Sequence, residues 1–404
     1  MLFQFGFYSS LLLISFSQGI IFAFLLFTKG VQTGNKSNFW LSIFLYLCSL
    51  YIAPWMLGFA GWYDNQPYRD IMFYMPFQHL FFIGPAIYFY TQSLLNPTFR
   101  FGKKESIHLL PGIAYIIYSF IIWVFDKIIL KKYYFYADGI DKDFDQWYQI
   151  EGLLSMIIYF GLSIRYYRLY KRLIVQVTSF AETILFRWVK NFLYAFLAMQ
   201  ILQVIFYIIG YIYPTTLSYV GGWWYYLLFS VIMYYIAIAG YANQISAKIH
   251  YSMSIIDNHP IMLLHSSRTF LLEEAATIDV DYEIAEENNS PEMEEWKSKI
   301  LELIKTEKLY ENPELTLTDV SKKLKTNATI VSKAINSGFQ MNFNNLINHY
   351  RIEAVKEMFQ KGEHKKQTLL GIAFDCGFNS KATFNRAFKK NTGFSPKEFL
   401  QHNN

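Results

Sequence analysis

Residues 371–399 read GIAFDCGFNSKATFNRAFKKNTGFSPKEF. Two short amphipathic helices joined by a glycine turn account for this text. Thr368 stands ahead of it as a helix opener, because a hydroxyl at that place accepts from an N–H of the first turn. Leu369, Ile372, Ala373 and Cys376 then fall on one face at helical spacing. Gly377 suits the left-handed position that closes such a helix. Ser380 caps the next helix, whose inward side is Phe384, Ala387 and Phe388. Its outward side shows Lys381, Asn385, Arg386, Lys389 and Lys390.

The same pattern occurs once before. Ile300, Leu301, Leu303 and Ile304 form an apolar stripe on a helix that starts at Trp296 and ends before Asn312 and Pro313. Thr316, with Asp319 three residues on, is a capping-box pair. Leu317, Val320 and Leu324 give that helix its buried face. After a break at Lys325 and Thr326, Asn327 caps a helix with Ile330, Val331 and Ile335 inward. Thr329, Ser332, Lys333 and Asn336 line up on its other side. A polar stripe on the second helix of a helix-turn-helix is what reading a major groove requires. A long amphipathic helix, about Phe343 to Phe359, joins the two units. If rigid, it sets two recognition helices about one DNA turn, ~34 Å, apart. A helical protein-interaction module is the competing reading, since basic residues on a helix face are commonly just solvated. Two complete capped pairs weigh against it.

Charge separates this end from the rest. Aromatic residues are 20% of the 404 and charged residues 17%, but no Asp, Glu, Lys or Arg occurs from Asn191 through Ala247. From Lys297 onward there are 18 Lys/Arg against 10 Asp/Glu, a net charge of +8 that suits DNA phosphates. A span needs about 20 apolar residues to cross a ~30 Å hydrocarbon core. Seven segments qualify: Phe7–Phe27, Phe39–Phe59, Ile71–Leu95, Ile107–Phe125, Trp147–Tyr167, Asn191–Tyr213 and Trp223–Asn243. The fifth is the weakest, since only thirteen uncharged residues separate Glu151 from Arg165. Pro214 and the pair Gly221–Gly222 divide the last two. Alternate loops hold eleven Lys/Arg on one side and five on the other, which places the N-terminus outside and the C-terminus inside. The first residues lack the basic start and cleavage site of a removable signal peptide.

Polar residues inside these segments, Gln78 and His79 in the third and Gln200 and Gln203 in the sixth, suggest a ligand pocket between helices. Interhelical hydrogen bonding is the commoner role for such groups. Cys48 and Cys376 offer neither a disulfide framework nor a zinc pattern. Thr269–Glu295 carries ten acidic residues and no basic one, interrupted by Asn288, Asn289, Ser290 and Pro291. Residues 244–295 therefore read as a flexible cytoplasmic linker. Such a tether is a poor lever. The expectation is coupling through the proximity of two chains, with a fragment starting near Glu292 still binding DNA.

The text at 371–399 resembles the signature of the AraC/XylS family of transcription regulators, with the skeleton GF-S---F-R-FK---G-SP nearly complete. Residues 317–356, LTDVSKKLKTNATIVSKAINSGFQMNFNNLINHYRIEAVK, resemble that family's first unit and connecting helix. The resemblance covers about Trp296 to Gln401. It implies that both recognition helices enter adjacent major grooves of double-stranded DNA, with RNA polymerase as a further partner. Thr329, Ser332 and Lys333 then correspond to base-facing positions of the first unit, and Lys381, Asn385 and Arg386 to those of the second. NSGFQMNF at 336–343 departs from the basic, Thr-Gly-containing turn usual there, which implies weaker backbone contacts. The N-terminal half, through FFIGPAIYFY at 81–90, is similar to multi-span sensor domains fused to such regulators in Bacteroidetes-like bacteria. The expected protein is all-α: a seven-span bundle over 1–243 in the lipid bilayer, the linker over 244–295, and a DNA-binding domain over 296–404. No cofactor is expected. A homodimer and an unidentified small-molecule or envelope signal complete the picture. A membrane transporter or enzyme with a regulatory DNA-binding tail is the rival, against which stands the want of phosphate-loop, metal-cluster or nucleophile motifs.

Overall fold

The computed structural model describes residues 4–96, 99–180, 186–213, 219–242 and 291–402. These are helical, with no strand among the described residues. The chain divides into two compact units: residues 1–167 with 187–252, and residues 168–186 with 253–404. Most of the expected acidic linker lies outside the described residues.

The first unit contains α1 (Phe7–Thr33), α2 (Lys36–Phe59), α3 (Tyr68–Tyr74), α4 (Leu80–Leu95), α5 (Lys103–Ser106), α6 (Leu110–Trp123), most of α7 (Gln146–Val177), α8 (Phe186–Ile212) and α9 (Tyr219–Ala242). Among the described residues, five helical stretches are long and apolar enough to cross a bilayer: α1, α2, Lys103–Ile129, Trp188–Ile212 and α9. Leu80–Leu95 is apolar but shorter. α2 packs against α1, α4 and α9 and is the central helix. Its apolar window is 67% buried, against 22% for α1, so the outer helices turn apolar surface outward. Ile14, Ile21 and Phe24 on α1, Ile117, Phe120 and Ile121 on α6, and Ile201, Ile205 and Ile208 on α8 are all exposed. Polar side chains such as Ser49, Gln78, Thr91 and Ser230 are buried instead. That inversion is costly in water and natural in lipid.

In this unit the structure differs from the sequence expectation at two places. The third segment, Ile71–Leu95, is not one helix. It leaves the helix after Tyr74 and resumes at Leu80. Pro76 starts the break, because the residue before a proline is pushed to extended backbone, and Met75 sits at φ −92°, ψ 117°. The freed backbone groups are met from elsewhere. Asp143 Oδ2 accepts from the N–H of Phe77 at 2.7 Å and of Gln78 at 2.9 Å, while its Oδ1 accepts from the Tyr115 hydroxyl at 2.8 Å. The Tyr148 hydroxyl bonds the Gln78 carbonyl and accepts from the N–H of Leu80. Irregular buried backbone survives here because side chains supply those partners. Second, Gly221–Gly222 does not interrupt a helix but lies inside α9. A Cβ on Gly222 would stand 2.4 Å from the Trp55 ring, so the glycine there permits close helix packing.

The second unit contains the end of α7 together with α10 (Pro291–Thr306), α11 (Leu317–Lys323), α12 (Ala328–Gly338), α13 (Phe343–Gln360), α14 (Leu369–Asp375), α15 (Lys381–Thr392) and α16 (Pro396–His402). α10 begins at Pro291 rather than Trp296. It ends at Thr306, well before Asn312, because Lys308 takes a left-handed conformation at φ 47° and a 3-10 turn follows over Leu309–Glu311.

Candidate nucleic-acid interface

Each short helix of the second unit starts where a side chain can satisfy its first N–H groups. Thr316 Oγ1 accepts from the N–H of Asp319 at 3.2 Å, and Asp319 Oδ2 accepts from the N–H of Thr316 at 3.0 Å, closing the capping box of α11. Asn327 Oδ1 takes the N–H of Ile330 at 2.8 Å and opens α12. Thr368 and Ser380 open α14 and α15 in the same way, at 3.0 and 3.2 Å. Such caps hold helices too short to persist alone.

α13 divides its apolar face between two cores. Phe343, Leu346 and Ile347 pack with Leu317, Val320, Val331 and Ile335 of the α11–α12 pair. Ile352, Val355 and Phe359 pack with Ile372, Phe384 and Phe388 of the α14–α15 pair. The 18 residues of α13 span roughly 27 Å at 1.5 Å per residue. Two helix-turn-helix units are thus mounted on one rod.

The outward faces differ. On α15, Lys381, Asn385, Arg386, Lys389 and Lys390 are all exposed, as the spacing predicts. Ser380 is half-buried, with its hydroxyl held by the cap and by Thr383 Oγ1 at 2.9 Å. On α12, Lys333 is exposed and Thr329 half-buried. Ser332 departs from the expectation. It is 2% exposed and accepts from Asn336 Nδ2 at 3.4 Å, so it cannot meet a base edge in this arrangement. The reason is tertiary: α10 packs against α12, so the buried arc of α12 is wider than its apolar residues alone indicate. Asn327 is exposed, but its side-chain oxygen Oδ1 is committed to the cap.

The residue that sequence reasoning passed over is Arg351. It stands in the i, i+4 row Phe343, Ile347, Arg351, Val355, Phe359, the only charge in a buried stripe. That position was a legible signal. Arg351 is 1% exposed, and burial pushes its guanidinium down to about 10, so it stays charged at neutral pH. Its Nε donates to the Tyr310 carbonyl at 2.8 Å and its Nη2 to the Asn312 carbonyl at 2.8 Å, and its Nη1 donates to Asn348 Oδ1 at 3.2 Å. Its guanidinium carbon also lies 5.7 Å from the centre of the Phe378 ring, which belongs to the second core.

Of the four polar residues expected to form a pocket in the first unit, Gln203 is linked to Gln78 by hydrogen bonds: its Nε2 donates to the Tyr207 hydroxyl at 3.3 Å, which donates to Gln149 Oε1 at 3.4 Å. Gln78 is fully buried with its amide satisfied: Nε2 donates to the Tyr226 hydroxyl at 3.0 Å, and Oε1 accepts from Gln149 Nε2 at 2.6 Å. His79 precedes α4 and is half-buried. Gln200 and Gln203 line a void of about 10 Å³ with Phe44, Cys48 and Tyr51, room for about one water.

Residues 320–402 match the family described as a helix-turn-helix domain, and this part of the chain is a helix-turn-helix domain of the AraC type. That class of domain is a DNA-binding one found in transcription regulators. No curated protein and no solved structure matches the chain.

Proposed function

We propose that the protein is a membrane-anchored, sequence-specific transcription regulator that senses a signal through its N-terminal helices and answers through its C-terminal domain on double-stranded DNA. The observation that carries the reading is the outward face of α15, where Lys381, Asn385, Arg386, Lys389 and Lys390 stand together on a helix fixed by its cap and by Phe384 and Phe388. Arg386 and Asn385 have the chemistry for base edges, and Lys389 and Lys390 for phosphates. On α12, Thr329 and Lys333 are the corresponding contacts. Binding as a homodimer and contact with RNA polymerase belong to the same reading.

Arg386→Ala should cost about 1–3 kcal/mol on the preferred site and relax the preference there. Lys390→Ala should weaken binding to every sequence alike and flatten the dependence of log K on log salt by about 0.9. Binding-site selection from a random duplex library, followed by salt titration, measures both. An Arg386→Ala chain with unchanged affinity and preference would show that the recognition face lies elsewhere.

The apolar exterior of α1, α6 and α8 supports insertion in a bilayer, and the loop charges support an outside N-terminus with the DNA-binding domain in the cytoplasm. A reporter active only in the periplasm should work when fused after Gly221, and one active only in the cytoplasm when fused after Lys248. Silence of both fusions, with the protein present, would remove this topology.

A further inference from the structure

The unit that holds the helix-turn-helix domain also contains residues 168–186. α7 runs unbroken from Gln146 to Val177, so one helix begins in the N-terminal unit and ends in the DNA-binding unit. Its end is not loosely placed. Val177 packs on the core of the α11–α12 pair. Thr178 forms an isolated antiparallel bridge with Thr316, the residue that caps α11, and the N–H of Ser179 donates to the Leu315 carbonyl at 3.1 Å. Asn344 Nδ2 on α13 donates to the Thr178 carbonyl at 3.2 Å. Arg351 completes the dock: Nη1 donates to the Ser179 carbonyl and Nη2 to the Ser179 hydroxyl, each at 3.0 Å.

A guanidinium has five N–H donors. Two of the five on Arg351 are met by Ser179, and the other three by Tyr310, Asn312 and Asn348. None of these partners is a carboxylate. A buried cation held only by neutral acceptors needs all of them, because each lost partner leaves a desolvated donor. The location matters as much as the count. Arg351 sits where the two helix-turn-helix units meet, with the Tyr310 and Asn312 carbonyls on one side and the Phe378 ring on the other. At the same joint, a Cβ on Gly377 would stand 2.1 Å from the Tyr310 oxygen.

We propose that residues 168–180 form a strap through which the N-terminal unit controls the DNA-binding domain. Docked on Arg351, Ser179 completes the joint between the two helix-turn-helix units and holds the spacing at which both reach DNA. Displacement of α7 withdraws it, leaves two guanidinium donors without protein partners, and loosens the joint. Affinity then falls for any duplex that both units must contact at once. The proposal rests on the DNA-binding reading above and adds the element that regulates it. It also supplies a helical connection between the units besides the acidic segment.

The test uses the full chain in lipid nanodiscs and a duplex selected by the wild-type protein from a random library. A wild-type chain that selects no duplex removes the DNA-binding reading itself, and the strap with it. Given a duplex, Ser179→Pro removes both the N–H to Leu315 and the hydroxyl to Arg351. It should weaken binding at least tenfold on the full duplex and much less on a truncated duplex offering one major groove. Amide exchange protection in α15 should stay as in wild type, which reports that the domain is folded. Thr178→Cys with Thr316→Cys, added to that variant, then re-fastens the strap, since paired residues of a bridge lie within disulfide reach. Oxidation should restore most of the lost affinity, and reduction should remove it again. If Ser179→Pro unfolds α15, Asn344→Ala replaces it and should show the same selective loss. A folded Ser179→Pro or Asn344→Ala chain with wild-type affinity on the full duplex overturns the strap while leaving DNA binding intact. Thr316→Cys alone, in the otherwise wild-type chain, reports the cost of losing the α11 cap, and an oxidised disulfide that fails to restore affinity to the level of that single variant overturns the strap as well.

Discussion

Gly377→Ala should destabilise the second helix-turn-helix unit by about 3–5 kcal/mol, one of the two largest effects expected from any single change in this chain. Two causes add. Gly377 has φ 90°, where a side chain is strained, and its Cβ would stand 2.1 Å from the Tyr310 carbonyl oxygen. That oxygen is backbone, and it already accepts from Arg351 Nε, so it cannot step aside without breaking a bond to a buried cation. Gly393 is the control. It has φ 80° with nothing within 4 Å of a built Cβ, so Gly393→Ala carries only the conformational cost, about 1 kcal/mol. Hydrogen exchange over 369–400 measures both. At about 1.4 kcal/mol per tenfold, protection should fall by roughly two orders of magnitude or more for Gly377→Ala and by about one or less for Gly393→Ala. Equal losses at the two sites would mean that the close approach to Tyr310 carries no energy.

The other large effect is Phe388→Ala. Phe388 is 0% exposed, and its ring meets those of Phe399, Phe384 and Phe359 at 5.3, 5.6 and 6.0 Å between centres. It joins three helices, α13, α15 and α16, so the cavity left by its loss cannot close by a shift of one of them. A cost of about 3–5 kcal/mol follows. The next residue gives the opposite result. Lys389 is exposed on the other side of α15, so Lys389→Ala should change stability by about 0.5 kcal/mol or less while weakening DNA binding and its salt dependence. Pulse proteolysis in urea and a duplex titration on the two variants separate the faces. A Lys389→Ala chain as unstable as Phe388→Ala would show that α15 is packed on both sides.

The two cases show what was readable along the chain. Phe384 and Phe388 inward, Arg386 and Lys389 outward, and Ser380 at the start of the helix are consequences of a 3.6-residue period and of a hydroxyl reaching an N–H three residues on. The capping box of Thr316 and Asp319, the closing role of Gly377 and the reach of α13 are equally local. The apolar runs of the N-terminal half likewise announce helices, since apolar residues that long and that uninterrupted leave the backbone to bond within its own segment. Each of these features is decided by partners within a few residues, and the sequence by itself determined them.

Tertiary structure decided the rest, because the partners lie far away along the chain. Met75–His79 can leave the helix because Asp143 and Tyr148 take over its backbone groups. Ser332 is buried because α10 covers that side of α12, although its own helix marks it as an outward residue. Gly222 lies within α9 and leaves there the space that the Trp55 ring fills. The clearest case is Arg351. Its place in an apolar row shows that something unusual stands there, but two of its five acceptors belong to Ser179, 172 residues earlier. Read along the chain, the DNA-binding domain begins near residue 296 and hangs from an acidic tether. In three dimensions its joint is finished by the end of α7. No local period encodes that, because a buried guanidinium takes whichever carbonyl and hydroxyl groups the fold brings to it.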